Sequence, residues 1–194
     1  MKKFLLAAAI AAIAAAPASA VPVVGATSVR ITNAIPTWLQ VAEVQAFDFA
    51  AVNVALLGTA TGSPEYQLAG TPYPTPDKAI DGLTGGIFPS LYHSGTEGAD
   101  QFLNIVFAAP TNLASLTIFG RVPANIYDVL PLRDVYNYVI YAGDTQLTSG
   151  RLDARTGPAS VVFVPEPSTW ALLLAGLGLL GVSKRRRKTT VAAA

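Results

Sequence analysis

The chain of 194 residues contains no cysteine and one histidine, His93. Without cysteine there is no disulfide scaffold, no thiol nucleophile and no iron–sulfur or zinc–thiolate centre. A single histidine excludes a His-rich metal site. Charge is scarce too: 13% of residues are charged, about half the usual share of a soluble domain. No heptad, long amphipathic helix or internal repeat is present, which removes coiled coils, bundles and solenoids. Neither a Gly-x-Ser-x-Gly elbow nor a phosphate-binding glycine loop occurs. Asp77 and Asp81 are close in sequence but share one short loop, whereas glycoside hydrolysis needs carboxylates facing across a cleft. The expectation is a protein that is not an enzyme.

What the chain has in excess is apolar residues, 52% of the total, and part of that excess lies at the ends. Lys2 and Lys3 precede an apolar run from Phe4 to Ala15, and Ala16-Pro17-Ala18-Ser19-Ala20 supplies the small-x-small pattern that signal peptidase cuts after. Residues 1–20 therefore read as a secretory signal peptide. Near the other end, Trp170 opens a second apolar run, 170–182, followed by Lys184, Arg185, Arg186, Arg187 and Lys188 and a short tail, 189–194. That run is shorter than the roughly 17–25 residues of an ordinary transmembrane helix. The basic run after it favours a cytoplasmic end. Together, Val164-Pro165-Glu166-Pro167, the apolar span and the basic tail resemble a PEP-CTERM sorting signal over residues 164–188. The resemblance implies recognition of the Pro165-Glu166-Pro167 motif by an exosortase in a Gram-negative bacterium. It also implies transient membrane insertion of an apolar helix at 170–182 and a final place at the cell surface or outside the cell.

Between the ends, residues 21–163 are enough for one domain with a core of its own. They hold six basic residues (Arg30, Lys78, Arg121, Arg133, Arg151, Arg155) against eleven acidic ones, a net charge of −5. That balance argues against a nucleic-acid partner. Short runs rich in Val, Ile, Leu, Phe and Tyr predict strands at 29–31, 39–47, 101–107, 113–121, 136–141, 145–152 and 159–164. Ala142-Gly143-Asp144 predicts a hairpin turn. The stretch from Gly58 to Gly98 is rich in Gly, Pro, Thr and Ser; a loop of that length in a small domain is usually functional. The expected fold is all-β, an antiparallel β-sandwich of jelly-roll type.

Four segments in order carry a second resemblance: Leu39 to Phe47, Asn53-Val54-Ala55-Leu56, Asp77-Lys78-Ala79-Ile80-Asp81-Gly82, and Ser90-Leu91-Tyr92-His93-Ser94. Over residues 28–153 they are similar to discoidin, or coagulation-factor C-type, domains, and most similar to the galactose-binding-like modules and fucolectins. The Leu-Ala-Glu-Val strand closes many such domains, whereas here it precedes Asn53-Val54-Ala55-Leu56, as in relatives in which that strand comes first. The resemblance implies a structural calcium ion held by the Ala42 carbonyl, Glu43, the Lys78 carbonyl, Asp81 and Ser90. Leu83 stands where relatives often carry Asn or Asp, which lowers the charge of the set. The alternative is that Asp81 caps the Gly82 turn and Glu43 is an exposed strand residue.

The resemblance further implies a sugar site formed by His93, Arg121 and Arg133, with Tyr92 or Tyr127 stacking on a sugar face. Arg suits this work because its planar fork offers several fixed donors. The insert 122–130 is longer than in fucolectins, and the alternative is that both arginines are solvated loop residues paired with Asp128 or Asp134. The implied ligand is an extracellular polysaccharide or other glycan. A second functional expectation, from a different class, is a structural or adhesion protein that binds protein or lipid, with Ile87, Phe88 and Leu91 as apolar loop contacts.

Overall fold

Eighteen consecutive residues, Phe102–Phe119, form the strand around which the domain is arranged. A computed structural model of the chain describes residues 22–121 and 133–163. In chain order the strands are β1 (Val23–Asn33), β2 (Gln40–Val41), β3 (Glu43–Asp48), β4 (Thr59–Gly62), β5 (Tyr92–His93), β6 (Phe102–Phe119), β7 (Val135–Ala142), β8 (Thr145–Asp153) and β9 (Ala159–Val162). A 3₁₀ turn spans Pro76–Ile80, and the described residues include no α-helix. Every strand pair is antiparallel. The mostly-β, antiparallel character expected from the sequence is present.

Strand β6 takes a different pair of neighbours along each half. Its first half lies between β1 and β4, with Ile105 opposite both Val29 and Ala60. Its second half lies between β3 and β9, with Leu116 opposite both Ala46 and Val161. The change falls at Ala108, Ala109 and Pro110, all exposed. There the register against β1 slips between Ala26–Thr111 and Ser28–Val106. Proline has no N–H to give a ladder, so it suits such an irregularity. A second slip, between Phe47–Ser115 and Asp48–Leu113, moves the buried set from odd to even positions. Leu103, Ile105 and Phe107 face the core before it, and Leu116 and Ile118 after it. An extra residue in one strand must exchange faces in this way, because side chains alternate with a period of two.

The core gathers Val29 and Ile31 of β1, Val44 and Ala46 of β3, the apolar positions of β6, and Tyr136, Tyr138 and Ile140 of β7. Strands β7 and β8 form the hairpin expected from the sequence, with Ala142 opposite Thr145 and Gly143 at φ +57° in the two-residue turn. The stretch expected to be one long loop contains β4, the 3₁₀ turn and β5. Strands of two to four residues give no alternation to read.

The register also fixes two ends of the domain. Val23 lies opposite Leu113, and the Phe163 N–H donates to the Ala114 carbonyl at 2.7 Å. The first and last described strands therefore meet at Leu113 and Ala114 of β6. Both termini of β6, with β2, β5 and the start of β7, lie at the other end. The expected segments 1–20, 164–188 and 189–194 fall outside the described residues, as do 122–130 and Tyr127.

Gly58 shows how tight the packing on β6 is. A Cβ there would sit 2.5 Å from the Val106 carbonyl oxygen, whereas one at Gly85 would meet nothing within 4 Å. Gly58→Ala is expected to destabilise the domain by about 1–3 kcal/mol, and Gly85→Ala to stay within ~0.5 kcal/mol of wild type. Urea unfolding midpoints of the two variants check this; equal midpoints would refute the packing.

Candidate functional site

At the end where β6 begins and finishes, β2 and β5 pair through Gln40–His93 and Val41–Tyr92. Tyr92 is fully buried, and its phenol donates toward the Ser63 carbonyl at 2.9 Å. A side chain at Gly62 would put its Cβ 2.6 Å from that phenol oxygen, so glycine is required beside the ring. The backbone of β5 is pinned from three sides: Tyr66 N–H to the His93 carbonyl, His93 N–H to the Pro74 carbonyl and Ser94 N–H to the Leu39 carbonyl. The imidazole of His93 is thereby held 6% exposed.

Both ring nitrogens of His93 are engaged. Nδ1 lies 2.8 Å from the Ser94 carbonyl and Nε2 lies 2.8 Å from Gln40 Nε2. A carbonyl can only accept, so Nδ1 carries the proton and Nε2 accepts from the Gln40 amide. That amide is oriented in turn by Arg121, whose Nη1 donates to Gln40 Oε1 at 3.2 Å. Burial, seconded by the positive charges of Arg121 and Arg133, lowers the His93 pKa to about 4. The ring is neutral at pH 7.

Three aromatic side chains stand round this polar chain. Tyr66 lies 4.9 Å from the His93 ring centroid, Phe88 5.9 Å and Trp38 6.4 Å. The Arg121 guanidinium lies 5.8 Å from the centroid of Phe88. Trp38, Tyr66, Phe88 and Arg121 are all partly exposed. Beneath them, Arg133 is 3% and Asp134 8% exposed. They form an ion pair at 3.7 Å, and Asp134 Oδ1 also accepts from the Arg121 N–H at 3.2 Å. Burial raises the Asp134 carboxyl above its ordinary value against the opposing pull of Arg133. The Tyr136 phenol contacts the Gln40 carbonyl at 2.5 Å and Asp134 Oδ1 at 3.1 Å. Gly120 leaves room for Asp134: a Cβ there would lie 2.7 Å from its carboxyl carbon.

His93, Arg121 and Arg133 are thus brought to one end of the domain and joined through Gln40 and Asp134. The expectation that both arginines are solvated is corrected for Arg133, because Asp134 compensates its charge inside the fold. Gln40, Trp38 and Tyr66 were not singled out in the sequence. Gln40 sits in an apolar strand where glutamine breaks the pattern, the one signal that pointed to it. The recess lined by Gln67 to Tyr73 is a separate feature made by one loop without charged residues.

Glu43 defines a second cluster. It is fully buried at the start of β3, which corrects the reading of an exposed strand residue. Oε1 accepts from the Gly82 N–H at 3.2 Å, and Oε2 is buried with no hydrogen-bond partner. Asp81 is exposed and caps its own turn, accepting from the Leu83 N–H at 2.9 Å. Burial first, and then the Asp81 charge, raise the Glu43 pKa to about 7 despite the Gly82 hydrogen bond. An orphaned carboxylate oxygen beside a second carboxylate fits a hard cation. Lys78 lies in the adjoining 3₁₀ turn, and Ala42 is fully buried with its N–H on the Phe119 carbonyl at 2.9 Å. Ser90 is exposed in a turn on the Ile87 carbonyl. The described residues contain no group of three or more His, Cys, Asp or Glu side chains able to hold a metal. Any ion here would rest on two carboxylates and neutral oxygens. Of the apolar loop contacts, Ile87 is exposed, Phe88 joins the aromatic ring around His93, and Leu91 is fully buried. The last corrects its reading as a surface contact.

Residues 163–188 match the PEP-CTERM protein-sorting motif. No curated protein and no solved structure matches the chain. The C-terminus therefore carries a PEP-CTERM motif, which implies export, processing by an exosortase and sorting to the cell surface. Among the described residues no helix is long and apolar enough to cross a membrane.

The lowered pKa of His93 makes a prediction about acid. The unfolded chain takes up a proton near pH 6.5, which the folded ring resists until about pH 4. The stabilisation is intact above pH 6.5 and is lost as pH falls toward 4, by roughly 3 kcal/mol. Replacing His93→Gln is expected to flatten the fall in urea midpoint between pH 7 and 4.5. Identical pH profiles for both proteins would show that the ring is not buried neutral.

Proposed function

We propose that the exported domain is a non-enzymatic carbohydrate-binding module that engages extracellular polysaccharide. The observation that carries this reading is the set of partly exposed rings of Trp38, Tyr66 and Phe88 around the Arg121–Gln40–His93 chain. Sugars present C–H faces that pack on aromatic rings and hydroxyls that take fixed donors. Arg121 is the donor in reach of a ligand. His93 acts as a positioning residue, since both its nitrogens are already used. Arg133 and Asp134 set the charge beneath.

The discoidin-like reading rests on the four sequence segments and agrees with this placement. It takes the domain as a β-sandwich of jelly-roll type, with the two halves of β6 assigned to its two sheets. In that reading Glu43, Asp81, the Ala42 and Lys78 carbonyls and Ser90 hold a structural calcium ion. Calcium would compensate the Glu43 charge and tie β3 to the Gly82 turn.

A glycan array probed with the full-length protein tests the sugar reading. Arg121→Ala is expected to weaken binding by about 1.5–3 kcal/mol, and Trp38→Ala by about 0.5–1.5 kcal/mol. Arg133→Ala is expected to lower stability as well, since it strands the buried Asp134 charge. Glycan binding untouched by Arg121→Ala and Trp38→Ala, or no binding to any glycan, would end this reading. The second reading, adhesion to lipid, draws on exposed Leu56, Leu57 and Leu83 near the Gly82 turn. Liposome binding without glycan binding is the outcome that selects it.

Calcium is tested by melting. Free calcium at a hundredfold excess over Kd stabilises a folded protein by about 2.7 kcal/mol. Asp81→Asn is expected to shrink the calcium-induced rise in Tm. An unchanged rise would remove Asp81 from the site.

A further inference from the structure

Two side-chain oxygens where β1 ends and β6 begins are buried and take no hydrogen bond: Asn33 Oδ1 and Gln101 Oε1. Asn33 is 3% exposed and Gln101 7%. The orientation of each amide is fixed by its nitrogen. Asn33 Nδ2 donates to the Thr37 carbonyl at 2.9 Å, and Gln101 Nε2 to Asp100 Oδ1 at 3.2 Å. Turning either amide round would set two acceptors face to face.

The ladder places these groups together. Thr32 lies opposite Phe102, and Asn33 and Gln101 are the next positions along the two strands. Both continue the inward-facing sets, after Ile31 and before Leu103. Thr37 is bridged to Gly98, and a side chain at Gly98 would run into Asp100 Oδ1. One short loop therefore sets the Asp100 carboxylate against the Gln101 amide and links it, through Gly98 and Thr37, to the amide of Asn33.

Buried acceptors without donors are unfavourable unless something compensates them. The set is made of oxygens alone, amide and carboxylate, which is the ligand chemistry of a hard cation. We propose that Asn33 Oδ1, Gln101 Oε1 and the Asp100 carboxylate bind a calcium ion, at a site separate from Glu43 and Asp81. Waters complete its coordination. A single carboxylate sets a weak site, in the range of about 10⁻⁴–10⁻³ M known for extracellular modules. The ion would fasten the 33–38 segment, which leads from β1 to Trp38 and Gln40.

The test titrates calcium chloride into the full-length protein in detergent, read by calorimetry and by the calcium-dependent Tm. The protein carrying Glu43→Gln removes the first carboxylate site and isolates the second. That variant is expected to keep one calcium per chain. Asp100→Asn and Gln101→Met in that background are each expected to weaken it at least tenfold. Absence of calcium binding by the Glu43→Gln protein, or residual binding that neither substitution changes, would overturn the proposal and leave buried water as the occupant. Should Gln101→Met not fold, Asp100→Asn, at an exposed position, decides alone. Equal stoichiometry in wild type and Glu43→Gln would count against the Glu43 site and not against this one.

Discussion

The constraint on which the domain depends is that β6 must serve two pairs of neighbours. A strand has only two hydrogen-bonding edges, and over eighteen residues both are in use on either side of Pro110. The buried set keeps to odd positions as far as Leu113 and changes parity at the second slip, before Leu116. Two register slips carry the change of neighbours, and exposed Ala108, Ala109 and Pro110 occupy the bend, where large side chains have nothing to pack against. Everything at the far end follows from this turn. The Phe119 carbonyl takes the Ala42 N–H and the Phe102 carbonyl the Tyr92 phenol, and Arg121 reaches Gln40 of the strand pair β2–β5, which belongs to neither half.

The polar end is held together by direction rather than by charge. From Arg121 through Gln40 to His93 and the Ser94 carbonyl, each donor finds one acceptor, and each group fixes the orientation of the next. Chains of this kind polarise along their length in a low-dielectric setting. Their cost is that no member can be removed without leaving a buried partner unsatisfied. Asp134 ties the same chain to the core through Tyr136 and to the Arg121 backbone. The half-exposed aromatic rings above are therefore presented by a rigid floor, which favours binding a ligand that arrives already shaped.

Much of the frame was legible in the sequence because alternation is a strong signal. Strands β7 and β8 follow from short runs of strand-forming residues, and their Gly143-Asp144 turn from its turn chemistry. Strand β6 was read as two, 101–107 and 113–121, because Ala-Ala-Pro interrupts the pattern; the backbone runs through the interruption. Strands β4 and β5 are too short to carry a period. The candidate site was legible in part. His93, Arg121 and Arg133 stand out as rare residue types, and Glu43 as a carboxylate in an apolar run. Gln40, Trp38 and Tyr66 enter only once β2 and β5 are paired, since nothing local in the sequence joins residues some fifty positions apart. The orphaned oxygens of Asn33 and Gln101 are likewise a property of packing, as both residues look ordinary in the chain.

Val23 and Phe163 meet at Leu113 and Ala114 of β6, roughly 30 Å along β1 from Asn33 by the rise of an extended strand. A domain whose two ends leave from one place behaves as a plug-in module. It can be spliced into a host protein's surface loop, or given new termini in an exposed turn such as Gly143-Asp144, with little strain on its frame. Its rim of aromatic rings and Arg121 would travel with it, pointing away from the splice.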